Sequence, residues 1–234
     1  MFTFPTTFFA SSTEPNWILN DLVSYYKFDW NANDAHGSNN GTINGATSTS
    51  SGKINDDYDF DGVNDYITIP DSADLTPVDF SINCWIKTST TARSSILVKR
   101  NTSWFAWFIF EINTWAVWDI QLDIYDTADR YSRSTNVSIN NWAWHMITVT
   151  CNHLNNINIF KDNVEVTYSV HRTWWFTNPN TNWVLNIWTW SPTPFGYYNW
   201  KIDEIWIWSK VLSTQEITDL YNSWSGLSYD DFTS

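Results

Sequence analysis

Apolar and polar residues alternate along Tyr58–Pro70, and the tetrapeptide Asp61-Gly62-Val63-Asn64 interrupts this alternation near its middle. Glycine adopts positive φ at little steric cost, and Asp and Asn side chains hydrogen-bond their own backbone, so this tetrapeptide favours a chain reversal. Alternation on both sides of a reversal predicts a β-hairpin.

The same pattern recurs along most of the chain, with short alternating or apolar segments separated by turn-forming residues. Such regular spacing favours an all-β fold, a two-sheet antiparallel jelly-roll sandwich. Within it, Lys161-Asp162-Asn163-Val164 predicts a two-residue hairpin, since Asn tolerates the left-handed region. The predicted strands are Leu22–Phe28, Phe80–Lys87, Ser95–Lys99, Phe105–Ile112, Val117–Tyr125, Ala143–Cys151, Ile157–Lys161, Val164–Tyr168, Val184–Thr189 and Tyr197–Ile207.

One short helix is predicted near the C-terminal end of this series. Ser213 and Glu216 have the spacing of a capping box, and Leu212 and Ile217 that of a hydrophobic staple. Ile217 and Leu220 then begin an apolar face at helical spacing. The helix should lie on an edge of the sandwich.

The chain is long enough to form one large β-domain with a substantial core. We assign the jelly roll to residues 21–224, a linker or truncated N-terminal extension to residues 1–20, and a tail to residues 225–234. No basic flank precedes Phe8-Phe9-Ala10, so no signal peptide is visible. No apolar segment is long enough to cross a bilayer.

The net charge of −13 and the pI of about 4.4 disfavour nucleic acids and anionic membrane surfaces as partners. Cys84 and Cys151 both lie on predicted strands. They are interpreted as two buried thiols, and a disulfide would require their strands to face each other.

Three segments, in this order and spacing, resemble a known family: Phe60–Tyr66, Ala143–Thr150, and the stretch from Lys201 to Ser213. They are similar to the laminin-G-like, concanavalin A-like lectin/glucanase domains of bacterial surface and secreted proteins. The resemblance extends from about Leu22 to Ser223. It implies a two-sheet jelly roll that serves as a binding or adhesion module, often with a structural Ca²⁺, in an extracellular, cell-surface or virion setting.

The resemblance also implies where calcium would bind. An acidic residue of the polar loop after the first strand and the Asp of the Lys-Ile-Asp-Glu strand commonly share one ion in this family. These residues correspond to Asp34 and Asp203, with carbonyl or amide oxygens from Gly37 and Asn40, and oxygen donors of this kind suit Ca²⁺. The alternative is a loop held by its own side chains, with Asp203 solvated on its strand.

Polar aromatic residues provide candidates for a glycan-binding surface, because such side chains combine a stacking face with a hydrogen-bonding tip. The ligand-binding residues proposed from the sequence are Arg130, Tyr131 and Tyr198, while Tyr125 and His171 are similar in character. The alternative is ordinary surface and edge packing.

An enzyme is not expected. Glucanases of this fold carry a Glu-x-Asp-x-x-Glu strand, which this chain lacks, and Glu111 has no acidic partner at i+2 or i+4. Asp203 and Glu204 are adjacent and should point to opposite faces of a strand. Asp119 and Asp123 are interpreted as a solvated strand side. The function expected is therefore a non-catalytic module for a glycan or protein partner. The alternatives are a structural spacer or decoration domain and, third, a glycoside hydrolase.

The composition has one anomaly, 18 Trp and only 7 Gly. Many Trp residues occur where turns favour Gly, among them Trp30, Trp115 and Trp200. The resemblance to the family implies that Trp85, Trp144 and Trp208 occupy Trp-like positions. One hypothesis is that the gene reads UGA as glycine and is written here with tryptophan. The other is that exposed Trp faces stack on sugar rings.

Overall fold

The structure is a computed structural model of the chain. It describes residues 17–100, 106–114, 119–125, 129–135, 137–171, 183–187 and 199–233; the side chains of Arg100, Ala106, Trp107, Asp129 and Arg130 are outside this description. Within these ranges, the helices lack the length and apolar composition needed to cross a membrane.

Strands dominate the described residues, as the alternating pattern predicts. They are β1 Leu22–Tyr26, β2 Thr42–Asn44, β3 Thr47–Thr49, β4 Asp57–Asp61, β5 Tyr66–Ile69, β6 Phe80–Thr88, β7 Ser94–Arg100, β8 Ala106–Ile112, β9 Ile120–Tyr125, β10 Asp129–Ser134, β11 Trp144–Cys151, β12 Ile157–Lys161, β13 Val164–Glu165, β14 Tyr168–Val170, β15 Leu185–Ile187 and β16 Asn199–Trp208. The helical elements are the 3₁₀ turns Trp17–Leu19, Ala73–Leu75 and Asn222–Trp224 and the α-helices α1 Thr214–Tyr221 and α2 Asp230–Thr233.

The strands form two antiparallel sheets packed as a sandwich. Sheet A has the order β13-β12-β11-β6-β16-β4-β3, with β1 also paired to β16, and sheet B has the order β14-β10-β9-β8-β7-β15-β5-β2. The expected all-β sandwich is confirmed.

The main core lies between the sheets. Inward side chains such as Ile82 and Ile86 of sheet A and Leu122 and Ile124 of sheet B are fully buried in one cluster. Cys84 and Cys151 are free thiols, and both belong to this cluster. Burial raises the pKa of both thiols, so neither is poised as a thiolate.

A second apolar cluster closes the outer face of sheet A. Trp85, Trp206 and Trp208 project from the sheet and pack with Ile217 and Leu220 of α1. The rings of Trp206 and Trp208 are stacked at 5.6 Å between centroids. Sheet A is therefore covered on both sides, by sheet B on one and by helical segments on the other.

The Gly62 turn, the Asp162-Asn163 hairpin and the helix cap are confirmed, but the hairpin predicted for Tyr58–Pro70 is wrong. Strand β4 lies in sheet A and β5 in sheet B, so the Gly62 turn joins the two sheets. Gly62 has φ 79°, and the Val63 N–H donates to the Asp61 carboxylate at 2.7 Å. Asp162 and Asn163 have φ values of 50° and 61°, as a tight hairpin of the type I′ kind requires. The Ser213 and Glu216 side chains form the reciprocal capping box of α1.

Other strand predictions were incomplete. The predicted strand Val164–Tyr168 is instead two short strands, β13 in sheet A and β14 in sheet B, because the chain crosses between sheets there. Strand β10 was missed because its sequence, Asp-Arg-Tyr-Ser-Arg-Ser, has no apolar alternation. Parts of the predictions at Phe105, Val117 and Tyr197 lie outside the described residues.

The segments assigned to the linker and the tail also contact the sandwich where they are described. Ile18 is fully buried in the cluster under α1. Near the other end, the Tyr229 ring stacks on Tyr25 at 5.3 Å between centroids, and Lys27 pairs with Asp230 at 2.6 Å.

The capping box gives a direct test of the helix. Replacing Ser213 by Ala removes the acceptor of the Glu216 N–H, so the free energy of unfolding should fall by about 1 kcal/mol. Thr214→Ala, one residue into the helix, is the control. Urea denaturation checks both, and equal stability of the two variants would contradict the role of the cap.

Candidate binding site

The outer face of sheet B carries polar side chains that are buried although they point away from the core. Along β9, Ile120, Leu122 and Ile124 face the core, so Gln121 and Asp123 face outward. Their exposed fractions are only 3% each. Buried polar groups require hydrogen-bond partners, and these residues have them.

Arg93 and Glu111 form a salt bridge on the outer face of sheet B. The Arg93 guanidinium donates to both carboxylate oxygens of Glu111, at 2.9 and 2.7 Å, and Glu111 is fully buried. The pairing with this carboxylate holds the pKa of Arg93 above its usual value, despite the opposing effect of burial. Bidentate pairs of this kind fix geometry as well as charge.

Asp123 continues the network from strand β9. Its carboxyl group is hydrogen-bonded to that of Glu111 and accepts from Gln121 Nε2 at 2.8 and 2.9 Å. Burial, reinforced by the Glu111 charge, raises the pKa of Asp123 to about 8. Burial also raises the pKa of Glu111. The two carboxyl groups therefore hold a proton between them at neutral pH.

Thr114 and Asp119 extend the network at the other end of β9. The Thr114 hydroxyl donates to Asp119 at 2.9 Å and contacts Gln121 Oε1 at 3.1 Å. The Thr114 N–H donates to the same Asp119 carboxylate at 2.6 Å. We call the connected residues Arg93, Glu111, Thr114, Asp119, Gln121 and Asp123 the polar row.

Tyr131 and Arg133 of β10 lie beside the polar row. Tyr131 is paired in register with Asp123, and Arg133 with Gln121. The Arg133 guanidinium lies over the Tyr131 ring at 5.6 Å, and its Nε is 4.0 Å from Asp119. The structure thus places one predicted ligand residue, Tyr131, on a rigid polar face.

The other two predicted ligand residues, Arg130 and Tyr198, lie wholly or partly outside the described residues. The backbone of Arg130 is paired with Ile124, and its side chain lies outside the described residues. Tyr198 also lies outside them. Tyr125 packs on Val98 and Ile109, an apolar patch on the same outer face.

Sequence reasoning missed the polar row because its key contact crosses between strands. Glu111 and Asp123 are on neighbouring strands, and only the β8–β9 register makes them neighbours. The interpretation of Asp119 and Asp123 as a solvated strand side was wrong, since both are buried. Runs of acidic and amide residues at alternate positions of β9 were the signal available in the sequence.

The polar loop after β1 is closed by Asp34. Its carboxylate accepts four backbone N–H groups, from Tyr25, His36, Gly37 and Asn39, at 2.9–3.1 Å. The Asn40 amide oxygen accepts the Asp34 N–H at 2.9 Å. A Cβ on residue 37 would be 2.7 Å from an Asp34 oxygen, so this position requires glycine.

Asp203 lies at a different place, where a β-bulge interrupts β16. Asp203 is paired with Trp85, Glu204 has φ 53°, and the register shifts before Trp206. Ile202 and Ile205 on either side both face the core. The prediction that Asp203 and Glu204 point to opposite faces was therefore wrong, because the inserted residue puts both on the outer side.

Both bulge carboxyls are buried, and each has one oxygen without a hydrogen-bond partner among the described residues. The other Asp203 oxygen accepts the N–H groups of Lys53 and Ile54 at 2.8 and 2.9 Å, and Glu204 accepts the Tyr25 hydroxyl. Burial raises the pKa of both carboxyls well above the usual range.

These contacts bear on the predicted calcium ligands. Asp34, Gly37 and Asn40 come together, but N–H donors occupy the positions that a cation would take at Asp34. Asp203 is bonded to residues 53 and 54 instead. In the described part of the chain, no three His, Cys, Asp or Glu side chains converge as metal ligands. The four residues do not fit a calcium site as one set.

The pKa of Asp123 gives a pH prediction. The unfolded carboxyl titrates near 3.9, so between pH 4 and 8 the folded protein holds a proton that the unfolded chain has released. The free energy of unfolding should then fall as pH rises through this window, by up to about 1.4 kcal/mol per pH unit. Asp123→Asn should remove this contribution, whereas Asp74→Asn, on an exposed residue, should not. Identical pH slopes for wild type and Asp123→Asn would contradict the assignment.

Solved structures share this fold. The binding domain of Paraclostridial Mosquitocidal Protein 1 has a TM-score of 0.68 at 13% identity, covering 88% of this chain and 53% of that one. The Botulinum neurotoxin DC binding domain, in complex with rat synaptotagmin II, has 0.65 at 13%, covering 88% and 52%. Domain 4 of AbnA, a GH43 extracellular arabinanase from Geobacillus stearothermophilus, in complex with arabinotriose, has 0.66 at 16%, covering 85% and 97%. The chain thus spans about half the length of the toxin domains, and at these identities the likeness shows the fold alone.

Sequence comparisons give the family. No curated protein sequence matches the chain. The model of the concanavalin A-like lectin/glucanases superfamily matches residues 61–218, from the last residue of β4 into the helix α1. This match covers more than half of the chain and contains the polar row and the bulge. The protein therefore belongs to the concanavalin A-like lectin/glucanase superfamily.

Proposed function

We propose that the protein is a non-catalytic binding module of a secreted or surface protein, which recognises a glycan or a protein partner through the outer face of sheet B. The observation that supports this most directly is the polar row with Tyr131 and Arg133 beside it. Sheet A offers no equivalent face among the described residues, because α1 and the second apolar cluster cover it.

The arrangement suits recognition of a polyhydroxylated ligand. Glycan sites combine an aromatic face for stacking with a few fixed polar groups for orientation. Tyr131 supplies the ring, and Arg133, held over it at 5.6 Å, supplies hydrogen-bond donors. The row is already hydrogen-bonded internally, so binding would require little ordering of its side chains.

The relatives support this class of function. One neighbour is bound to arabinotriose, one to synaptotagmin II, and one to SialylT. These descriptions concern those proteins, and they suggest oligosaccharides and a protein as ligand classes to test here.

The geometry favours binding over hydrolysis. Retaining glycosidases separate their two carboxyls by about 5–5.5 Å, and inverting ones by more. Glu111 and Asp123 are instead hydrogen-bonded to each other, and Arg93 occupies both oxygens of Glu111. Neither carboxylate is left as a nucleophile or as a base toward water.

A glycan array containing arabino-oligosaccharides and sialylated oligosaccharides, followed by calorimetry on any hit, tests the proposal. Tyr131→Ala should weaken binding about tenfold because the stacking face is lost. Tyr131→Phe should keep most of the affinity, and Val164→Ala, on the exposed hairpin of sheet A, should keep all of it. A hit unaffected by Tyr131→Ala would place the site elsewhere. No hit on the array, together with no binding to a synaptotagmin II peptide, would favour the spacer function.

The calcium predicted from the family resemblance remains a proposal, and the bulge is the place that supports it. Asp203 and Glu204 each have a buried oxygen without a partner among the described residues. Such oxygens suit a hard cation, with carbonyl or water oxygens completing the shell. This ion would stabilise the fold and take no part in any reaction.

EDTA titration separates the two possible positions. With calcium at the bulge, EDTA should lower the melting temperature of the wild type and have no effect on Asp203→Asn. Asp34→Ala should be destabilised with or without calcium, because four N–H groups lose their acceptor. An unchanged wild-type melting temperature in EDTA would exclude the ion.

A further inference from the structure

Three tryptophans have a backbone conformation that L-residues with bulky side chains rarely adopt. Trp30, Trp142 and Trp224 have φ values of 73°, 58° and 80°. In this region the Cβ of an ordinary residue is close to the following carbonyl, at a cost of about 1–2 kcal/mol per residue. Glycine has no Cβ and avoids this cost.

Tryptophan is over-represented among the described residues that have positive φ. Six of the twelve described non-glycine residues with positive φ are Asn or Asp, the types that tolerate this region. Three of the other six are Trp. Aromatic residues at positive φ are genuine outliers, so this concentration of one residue type requires a cause.

Side-chain packing does not supply that cause at two of the three positions. The side chain of Trp30 is 75% exposed, and that of Trp142 is 42% exposed. Each instead serves through its backbone: the Trp30 N–H donates to Phe28 O at 3.1 Å, and the Trp142 N–H to Thr88 O at 2.9 Å. The first bond closes a tight backbone turn, a usual place for glycine, and the second joins the chain just before β11 to the end of β6.

Trp224 differs because it packs on Trp85 and Tyr221 at 5.6 and 5.8 Å between centroids. It nevertheless ends a run of three left-handed residues after α1, beginning at Asn222. Helix C-termini commonly end in a left-handed glycine.

Other tryptophans show the opposite behaviour. Trp85, Trp206 and Trp208 are buried strand residues in the cluster under α1, and their φ values are not positive. Trp200 was interpreted from the sequence as a glycine-like position, but it is a buried strand residue of β16 in the main core. The chain thus contains tryptophans that the fold uses for packing and tryptophans that it places in glycine conformations.

We infer that positions 30, 142 and 224 are glycine sites, and that the protein made in its own cell carries glycine there through UGA codons. The two independent observations are the excess of Trp over Gly, 18 against 7, and the left-handed backbone at these positions. The exposed indoles then have no role in ligand stacking. Trp30 and Trp142 in any case adjoin strands of sheet A, on the opposite side from the polar row.

Paired substitutions separate backbone strain from loss of the side chain. At positions 30 and 142, the glycine variant should be more stable than the alanine variant, because alanine keeps the Cβ. The expected difference is about five- to thirtyfold in the folded-to-unfolded ratio, from 1–2 kcal/mol of relieved strain. Trp144, on β11 two residues after Trp142, is the matched control. At position 144 the alanine variant should be more stable than the glycine variant, by about twofold to fivefold in the folded-to-unfolded ratio.

Urea denaturation of Trp30→Gly, Trp30→Ala, Trp142→Gly, Trp142→Ala and the two Trp144 variants gives these ratios. If the alanine variants at positions 30 and 142 were as stable as the glycine variants, or more stable, the assignment of glycine sites would be overturned. The codons in the natural gene, and the residues in peptides of the protein from its natural source, test the recoding. We expect UGA codons at positions 30, 142 and 224, and glycine at these positions in the peptides. UGG codons at these positions would overturn the recoding.

Discussion

The two-residue period of the β-strand is the constraint on which this structure depends. Each strand that sends alternate side chains into the core must send the others outward. Sheet A covers its outward row with α1 and an aromatic cluster. Sheet B instead carries the polar row, which is buried and bonded within itself. The sandwich therefore has one side covered by helical segments and one side that carries a hydrogen-bonded polar row.

The bulge in β16 interrupts this period at a single point. One extra residue at Glu204 keeps Ile202 and Ile205 in the core while placing two adjacent acids on the outer face. The same strand pairs with β4 before the bulge and with β1 after it. The acids therefore lie where the neighbouring strand changes, and loop N–H groups and a tyrosine hydroxyl satisfy part of their hydrogen-bonding capacity.

Local signals in the sequence were sufficient for the fold class, the Asp162-Asn163 hairpin and the capped helix, because each depends on residues a few positions apart. The polar row was not predictable in the same way. Glu111 and Asp123 become neighbours only through strand register, and Arg93 reaches Glu111 from the chain before β7. The bulge was not predictable from the sequence either, because no glycine or proline marks its position in the strand. The family resemblance indicated Asp34 and Asp203 as calcium ligands, whereas in the structure their carboxylates accept backbone N–H groups of two loops.

The pairing of β1 with β16 also has a consequence for the order of assembly. Leu22 is opposite Trp208, so β1 finds its partner only after the chain as far as β16 has left the ribosome. Until then its tyrosines and apolar residues have no sheet to join, and contacts so distant in sequence form slowly. A nascent chain that stops before the last long strand would leave an open edge on β6 as well. Unpaired edges of this kind are sites of pairing between chains, so this protein is prone to aggregation while it is being synthesised.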